Sequence, residues 1–307
     1  IFNITGGTKL MSIAMDRASM LLGSARAESF YQSRGQHVVW YQRQTNQIVY
    51  PINSNLNLQQ RVLSRGYQIT KQQPITDISL EQLRYAQILI DVMKNDFQKG
   101  RRFCSFINKL ASMSDDENSL NVHFDNIQAE QAEGLEVLAQ ITQEAFFSFD
   151  STSSVIQFKS EETREYMKGG WLEVYSGYEC YKALIGLNPQ AELAINVELK
   201  KKDTPNEMDV MFIHHAHLYC IECKTAKTMA HEQAKDVLYK LSSLQDFGGI
   251  NQKQAVVSLY SLKDYNLTRA NNSEIRIFQE RDLLNLSQLI PEWLQPKSIN
   301  ISQGISL

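Results

Sequence analysis

Two short β-rich segments that meet at a tight turn constrain this chain more than any other feature. They run from Asp209 to Ile213 and from Leu218 to Glu222. A turn centred on His215 and Ala216 places Asp209 directly opposite Glu222, where the Cβ atoms of a pair lie about 5 Å apart. Lys224 follows Glu222 by two residues and projects to the same face. The sequence therefore predicts that two carboxylates and one ammonium group converge.

This convergence has a chemical consequence, because like charges opposite each other destabilise a sheet. A hard divalent cation between Asp209 and Glu222 would reverse that penalty, and Mg²⁺ and Mn²⁺ prefer such oxygen ligands. Such an ion can polarise a phosphodiester and acidify a bound water, while Lys224 orients that water or neutralises developing charge. The alternative is an exposed hairpin face on which a Glu and a Lys lie together by chance.

Cysteines and histidines around the same hairpin raise a second metal hypothesis. Cys220 and Cys223 form a C-x-x-C next to three histidines, which is a familiar zinc pattern. Residues three apart on a strand leave opposite faces, however, so these two thiols should diverge. No second C-x-x-C follows in the sequence. We therefore favour two separate strand residues over a zinc site.

Composition and charge set wider limits on the class of protein. The chain has 307 residues, 43% of them hydrophobic and 21% charged, with a net charge of −3, so two or three globular domains are expected without a global basic field. No apolar run reaches the roughly 18 residues of a membrane span, and no signal peptide is visible. Four scattered cysteines favour a reducing cytoplasm. The chain opens inside a predicted strand, so we expect further sequence before Ile1.

The hydrophobic pattern divides the chain into three predicted domains. Residues 1–75 show a strand, a glycine loop, a helix and a β-hairpin made of Val38–Tyr41 and Ile48–Tyr50. Residues 76–158 are mostly helical, and residues 159–307 alternate helices and strands. Together they predict an α/β protein.

The middle region follows the order of a winged helix, three helices and then a hairpin. Asp77 or Ser79 can cap its first helix, in which apolar residues recur every three or four positions. A later helix is predicted from Ala129 to Ala145. Such a domain can bind DNA, form a dimer interface or act as a spacer, and we favour the spacer.

A glycine loop near the N-terminus joins a predicted strand to a helix. Exposed backbone N–H groups, the helix N-terminus and a lysine make such a loop suitable for phosphates. Its spacing is not that of a Walker A motif. The loop residues are Thr5, Gly6, Gly7, Thr8 and Lys9.

These motifs together resemble those of known nucleases. Asp209, about a dozen residues, and then Glu222-Cys223-Lys224 resembles the PD-(D/E)xK nuclease signature, although Met208 stands where Pro is common. Together with the glycine loop and the winged-helix-like middle, the chain resembles the CRISPR ancillary nucleases. In that family a Rossmann-like CARF sensor domain is fused to the nuclease. The resemblance implies a partial CARF domain, a winged-helix-like middle and a C-terminal restriction-endonuclease-like domain.

The family resemblance also implies roles for particular residues. Glu173, on the helix before the hairpin, would assist the metal, and the main-chain carbonyl of Cys223 would be a further ligand. A homodimer would bind cyclic oligoadenylate, most simply cyclic tetra-adenylate, and would then cut DNA, RNA or both. The residues expected to line that ring are Thr5, Gly6, Gly7, Thr8 and Lys9.

Two other functions remain open from the sequence. The first is a constitutive PD-(D/E)xK nuclease of restriction or repair, in which the glycine loop is only structural. The second is a non-catalytic, ligand-sensing regulator that binds DNA through the middle domain. The response of cleavage to added ring separates the first from an activated nuclease, and metal-dependent cutting itself separates the second.

Overall fold

A computed structural model describes eleven parts of the chain, which fall into two compact units. One unit contains Ile1–Asn57 with His215–His217, and the other contains Leu58–His214 with Leu218–Leu307. Among the described residues, no helix is long and apolar enough to cross a bilayer. The described residues are 2–3, 14, 18, 29–32, 37–41, 48–51, 57–124, 127–215, 217–230, 234–244 and 252–295.

The first unit contains a four-stranded sheet in the order β1-β2-β3-β4. Strands β1 and β2 are parallel, and the pairs β2–β3 and β3–β4 are antiparallel. In the last pair Val39 lies opposite Val49, which confirms the predicted hairpin. Thr5, Gly6, Gly7, Thr8 and Lys9 lie outside the described residues, so their role stays a prediction. The strands are β1 Phe2–Asn3, β2 Ser29–Gln32, β3 His37–Tyr41 and β4 Ile48–Pro51.

The second unit combines helices with two further sheets. Its described helices are α1 Leu58–Leu63, α2 Leu80–Asn95, α3 Phe97–Asp116, α4 Ala129–Ile141, α5 Glu161–Glu165, α6 Trp171–Ile185, α7 Ala234–Ser243, α8 Asp264–Asn272 and α9 Leu286–Leu294. Its strands are β5 Gln68–Pro74, β6 Asn121–His123, β7 Phe147–Asp150, β8 Val155–Phe158, β9 Leu193–Lys201, β10 Thr204–His214, β11 His217–Lys224, β12 Gln252–Ser258 and β13 Ile275–Gln279.

The larger sheet has six strands in the order β13-β12-β11-β10-β9-β5. Strands β11, β12 and β13 run parallel, whereas β9 is antiparallel to both of its neighbours. Two hydrophobic clusters cover the sheet, one built with α6 and one built with α7. Strands β10 and β11, which carry the predicted site, therefore lie in the middle of the sheet and are buried on both faces.

The first strand of this sheet departs from the domain division predicted from the sequence. β5 pairs antiparallel with β9, so Gln68–Pro74 lies in the same sheet as the predicted nuclease strands. The polar residues around Pro74 suggested a break, but an edge strand tolerates both proline and polar side chains. The compact units accordingly divide between residues 57 and 58, and the predicted boundary at 75 does not coincide with that division.

The middle region contains the predicted three helices and hairpin, α2 to α4 followed by β7 and β8. It also contains the short strand β6, which pairs with β8 to make a three-stranded sheet. No sequence pattern predicted β6, because three residues with one buried side chain carry too little periodicity. The helices of this region belong to the same compact unit as the six-stranded sheet.

The start of α2 yields a test of the fold. The Ser79 hydroxyl accepts a hydrogen bond from Gln82 N, and the Gln82 side chain accepts one from Ser79 N, which is a capping box. Ser79→Ala should lower the unfolding free energy by about 1 kcal/mol. Asp77→Ala, which leaves this box intact, should cost clearly less. Urea unfolding followed by circular dichroism measures both, and equal losses would contradict the assignment of the cap.

Candidate active site

A tight hairpin brings the two predicted carboxylates together in the middle of the sheet. β10 ends at His214 and β11 begins at His217. His215 has a φ of 49°, the left-handed conformation that such turns need. The predicted turn position is therefore confirmed. Asp209 and Glu222, further along the two strands, are both buried, because strands on either side and helices above and below cover them.

The charged ends of three side chains meet across these two strands. Lys224 Nζ lies 2.7 Å from Glu222 Oε1 and 3.7 Å from Asp209 Oδ2. Asp209 Oδ2 also accepts a hydrogen bond from the main-chain nitrogen of Cys223 at 2.5 Å. The structure thus brings together Asp209, Glu222 and Lys224, as strand geometry predicted.

Glu173 stands beside this cluster on the helix that precedes the hairpin strands. A π-helical turn, Tyr166–Gly170, leads into α6, and Trp171 and Leu172 are fully buried. The helix lies close to the sheet because Gly177 has no side chain: a Cβ there would be 2.9 Å from Ile195 Cγ2. This close packing places Glu173 within electrostatic reach of Asp209.

The crowding of acidic groups changes their protonation. Burial and then the neighbouring Glu222 raise the pKa of Asp209 to about 6. Burial and then Asp209 raise the pKa of Glu173 to about 8. Burial alone would lower the pKa of Lys224, but the carboxylates of Asp209 and Glu222 outweigh it and raise that pKa. At neutral pH Glu173 therefore holds a proton in most copies, whereas Asp209 is mostly ionised.

A second lysine, not predicted from the sequence, joins the cluster from α7. Lys240 Nζ lies 3.0 Å from Glu222 Oε1 and 2.9 Å from Glu222 Oε2. Lys240 precedes the buried Leu241 in the helix, but helical periodicity does not predict which group its ammonium contacts. Only the packing of α7 against the sheet shows which carboxylate this lysine contacts.

The donor groups fit a hard divalent cation. Asp209, Glu222 and Glu173 supply carboxylate oxygens, the ligand type that Mg²⁺ and Mn²⁺ prefer. A divalent cation would favour the ionised forms of these three groups, including Glu173, whose pKa of about 8 leaves it mostly protonated at neutral pH. In the parts of the chain that are described, no three His, Cys, Asp or Glu side chains surround one point as metal ligands. Protein carboxylates would thus supply part of the coordination, with main-chain oxygen and water supplying the rest.

The zinc alternative does not fit the geometry of the strand. Cys220 and Cys223 lie in different hydrophobic clusters, on opposite faces of β11, as the odd spacing predicted. Both are buried and unbridged. Two thiols separated by the sheet cannot share one ion.

Comparisons with known proteins show which domains and structures the chain is similar to. The profile of the Card1-like endonuclease domain matches residues 160–296, the region that holds all five clustered side chains. The structure is similar to that of protein VC1899 from Vibrio cholerae, with TM-score 0.78, 19% identity, and coverage of 95% of this chain and 75% of that chain. It is also similar to Can2 from Sulfobacillus thermosulfidooxidans, solved in complex with cyclic tetra-adenylate. That match has TM-score 0.73, 20% identity, and coverage of 96% of this chain and 76% of that chain.

Residues 160–296 therefore match an endonuclease domain of the Card1-like type. The endonuclease match supports the resemblance to the CRISPR ancillary nucleases, and the likeness to Can2 confirms the predicted α/β fold. At these identities the two solved structures establish a shared fold only. No curated protein matches the chain.

The acidic crowding in this site predicts how the stability of the chain depends on pH. The pKa of Glu173 rises from 4.5 to about 8, so ionising it is costly in the folded chain and not in the unfolded chain. The cost is absent below about pH 4.5 and complete above about pH 8. In the presence of a chelator, Glu173→Gln should therefore exceed the parent protein in stability above pH 8 by more than about 1 kcal/mol.

The measurement is the melting temperature from pH 5 to pH 9 in EDTA. The difference between Glu173→Gln and the parent should shrink as the pH falls. Glu162→Gln, an exposed position on α5, provides the matched control and should leave the pH profile unchanged. A Glu173→Gln variant that melts below the parent at pH 9 would show that the acidic groups are not crowded.

Proposed function

We propose that this chain is a divalent-metal-dependent nuclease that hydrolyses phosphodiester bonds of DNA, RNA or both and is activated by cyclic oligoadenylate. The observation that carries the proposal is the contact of Lys224 with both Asp209 and Glu222, inside a domain that matches an endonuclease family. Cyclic tetra-adenylate is the proposed activator. The active form is a homodimer of the cytoplasm, as in the family that the sequence resembles.

Asp209, Glu222 and the main-chain carbonyl of Cys223 would hold Mg²⁺ or Mn²⁺, with Glu173 as an assisting carboxylate. When bound, such an ion supplies a Lewis acid for the phosphoryl oxygen and lowers the pKa of a coordinated water. With a pKa of about 6, Asp209 is mostly ionised at neutral pH, but mild acid protonates it more readily than an ordinary Asp.

In this proposal Lys224 interacts with the phosphate of the substrate and does not bind the cation. Its side chain is about a third exposed, so the ammonium group reaches solvent while its neighbours hold it in place. The raised pKa of Lys224 keeps it charged throughout the physiological range. A fixed positive charge beside the reacting phosphorus stabilises the charge that develops during hydrolysis.

Activation by a ring rests on two observations. Can2, which shares the fold over most of both chains, was solved with cyclic tetra-adenylate. The glycine loop of this chain, Thr5–Lys9, has the composition of a phosphate-binding turn. We therefore assign ring binding to the N-terminal region and cutting to residues 160–296.

Removal of the site residues tests the cutting assignment. Lys224→Ala and Glu222→Gln should each reduce cleavage by at least about 100-fold, since a charged group that stabilises a transition state contributes a few kcal/mol. The assay follows plasmid and RNA cleavage with Mn²⁺ and cyclic tetra-adenylate.

Two exposed residues of β9 supply matched controls, because they lie in the same sheet away from the cluster. Among the described residues, Glu198→Gln removes an ion pair with Lys71, and Lys200→Ala removes one with Asp203. Both controls should cut like the parent. Cleavage that survives in Lys224→Ala and Glu222→Gln would place the reaction elsewhere.

Addition of the ring tests activation separately. Cleavage by the parent should rise at least about tenfold with cyclic tetra-adenylate, and Glu222→Gln should still bind the ring while failing to cut. Lys9→Ala should weaken ring binding without altering the nuclease residues. Cleavage indifferent to the ring would instead indicate a constitutive nuclease, and DNA binding without cutting would indicate a regulator.

A further inference from the structure

Glu222 is held by two lysines rather than one. Lys224, from its own strand, lies 2.7 Å from Oε1, and Lys240 lies 3.0 Å from Oε1 and 2.9 Å from Oε2. The Glu222 side chain is 3% exposed, so water contributes little to its solvation. Lys240 therefore supplies part of the positive charge that this buried carboxylate requires, and it does so at both oxygens.

The helix that carries Lys240 packs against the sheet, so the backbone at Lys240 has a defined position. Leu238 and Leu241 of α7 are buried in the cluster on one face of the sheet. Gln254 of β12 donates a hydrogen bond to the main-chain oxygen of Leu241 at 2.6 Å. Since β12 pairs with β11, the helix is attached to the strand beside Glu222.

The end of the Lys240 side chain, in contrast, can move. It is 36% exposed, and only the ammonium group is tied to Glu222. Rotation of its long aliphatic stem can carry the charge several ångströms without moving the helix. The Lys240 ammonium group can therefore move from one anionic partner to another while the helix stays in place.

A cation and Lys240 would compete for the same atoms. Divalent ions bind carboxylate oxygens at about 2 Å, and both oxygens of Glu222 are already within hydrogen-bond distance of Lys240. Two positive charges at that distance from one carboxylate, and from each other, repel strongly. The ammonium group must therefore leave at least one oxygen when a cation arrives.

We propose that Lys240 is a second active-site lysine, which neutralises Glu222 until a divalent cation binds there and which then contacts a phosphate of the nucleic acid. This inference rests on the proposed metal-dependent cutting. It goes beyond that proposal because it gives α7 a part in both cation and substrate binding. The released ammonium group remains beside the site, where the phosphate is the strongest available anion.

The test compares Mn²⁺ affinity with cleavage. In titration calorimetry of the full chain without nucleic acid or ring, Lys240→Met should bind Mn²⁺ at least about tenfold more tightly, because a competing charge is gone. In cleavage at saturating Mn²⁺ and cyclic tetra-adenylate, the same variant should be at least about tenfold slower, because a phosphate contact is lost. Opposite changes in the two quantities are not expected of a residue that only supports folding.

Three further variants serve as controls for this comparison. Lys235→Met removes a lysine from the same helix that is not among the described partners of Glu222, and it should change neither quantity. Lys240→Arg keeps the charge and should not tighten Mn²⁺ binding. Lys240→Gln removes the charge but keeps a hydrogen-bond donor, and it repeats the test if the Met variant does not fold.

The outcomes separate this inference from the proposed function. Unchanged or weaker Mn²⁺ binding in Lys240→Met, beside normal binding by the parent, overturns the role of Lys240 alone. Tighter Mn²⁺ binding with faster cleavage also overturns it, since Lys240 would then only inhibit. A parent protein that binds no Mn²⁺ overturns the proposed metal site, and the inference with it.

Discussion

The buried carboxylate of Glu222 is the group on which the arrangement of the site depends. Removing such a charge from water costs several kcal/mol unless opposite charges and hydrogen bonds replace the water. Here the replacement comes from two directions, with Lys224 on the same strand and Lys240 on a helix that packs against the sheet. The positions of strand and helix are thus coupled through one carboxylate. Asp209 lies beside this carboxylate, and burial, followed by the charge of Glu222, raises the pKa of Asp209 to about 6.

The scaffold explains how this charge cluster can exist inside an apolar sheet. Apolar side chains of β11 alternate between two hydrophobic clusters, with Cys220 in one and Ile221 and Cys223 in the other. Well-packed neighbours on both faces fix the strand, so the charged side chains cannot relax away from one another. Rigid placement of opposing charges is what a metal-dependent site requires, because ligands that are already in position lose little freedom on binding.

The helical middle of the chain is tied to the end of β11. Arg164 and Lys168 both contact Asp115 at the end of α3, at 2.8 and 2.6 Å. The main-chain oxygen of Lys168 accepts a hydrogen bond from Thr225, the residue after Lys224. These contacts, with the shared core, explain why the winged-helix-like region and the six-stranded sheet form one compact unit. The role of a spacer, favoured from the sequence, stays a prediction.

The sequence by itself determined the hairpin and the convergence of Asp209, Glu222 and Lys224, because strand periodicity and a two-residue turn fix which side chains share a face. It also determined the helix that carries Glu173 and the divergence of Cys220 from Cys223. Only the tertiary structure decided that Gln68–Pro74 joins the same sheet and that Lys240 meets Glu222. Both depend on contacts between elements whose docking no local pattern specifies. Periodicity identifies the faces of an element, and packing alone decides what those faces meet.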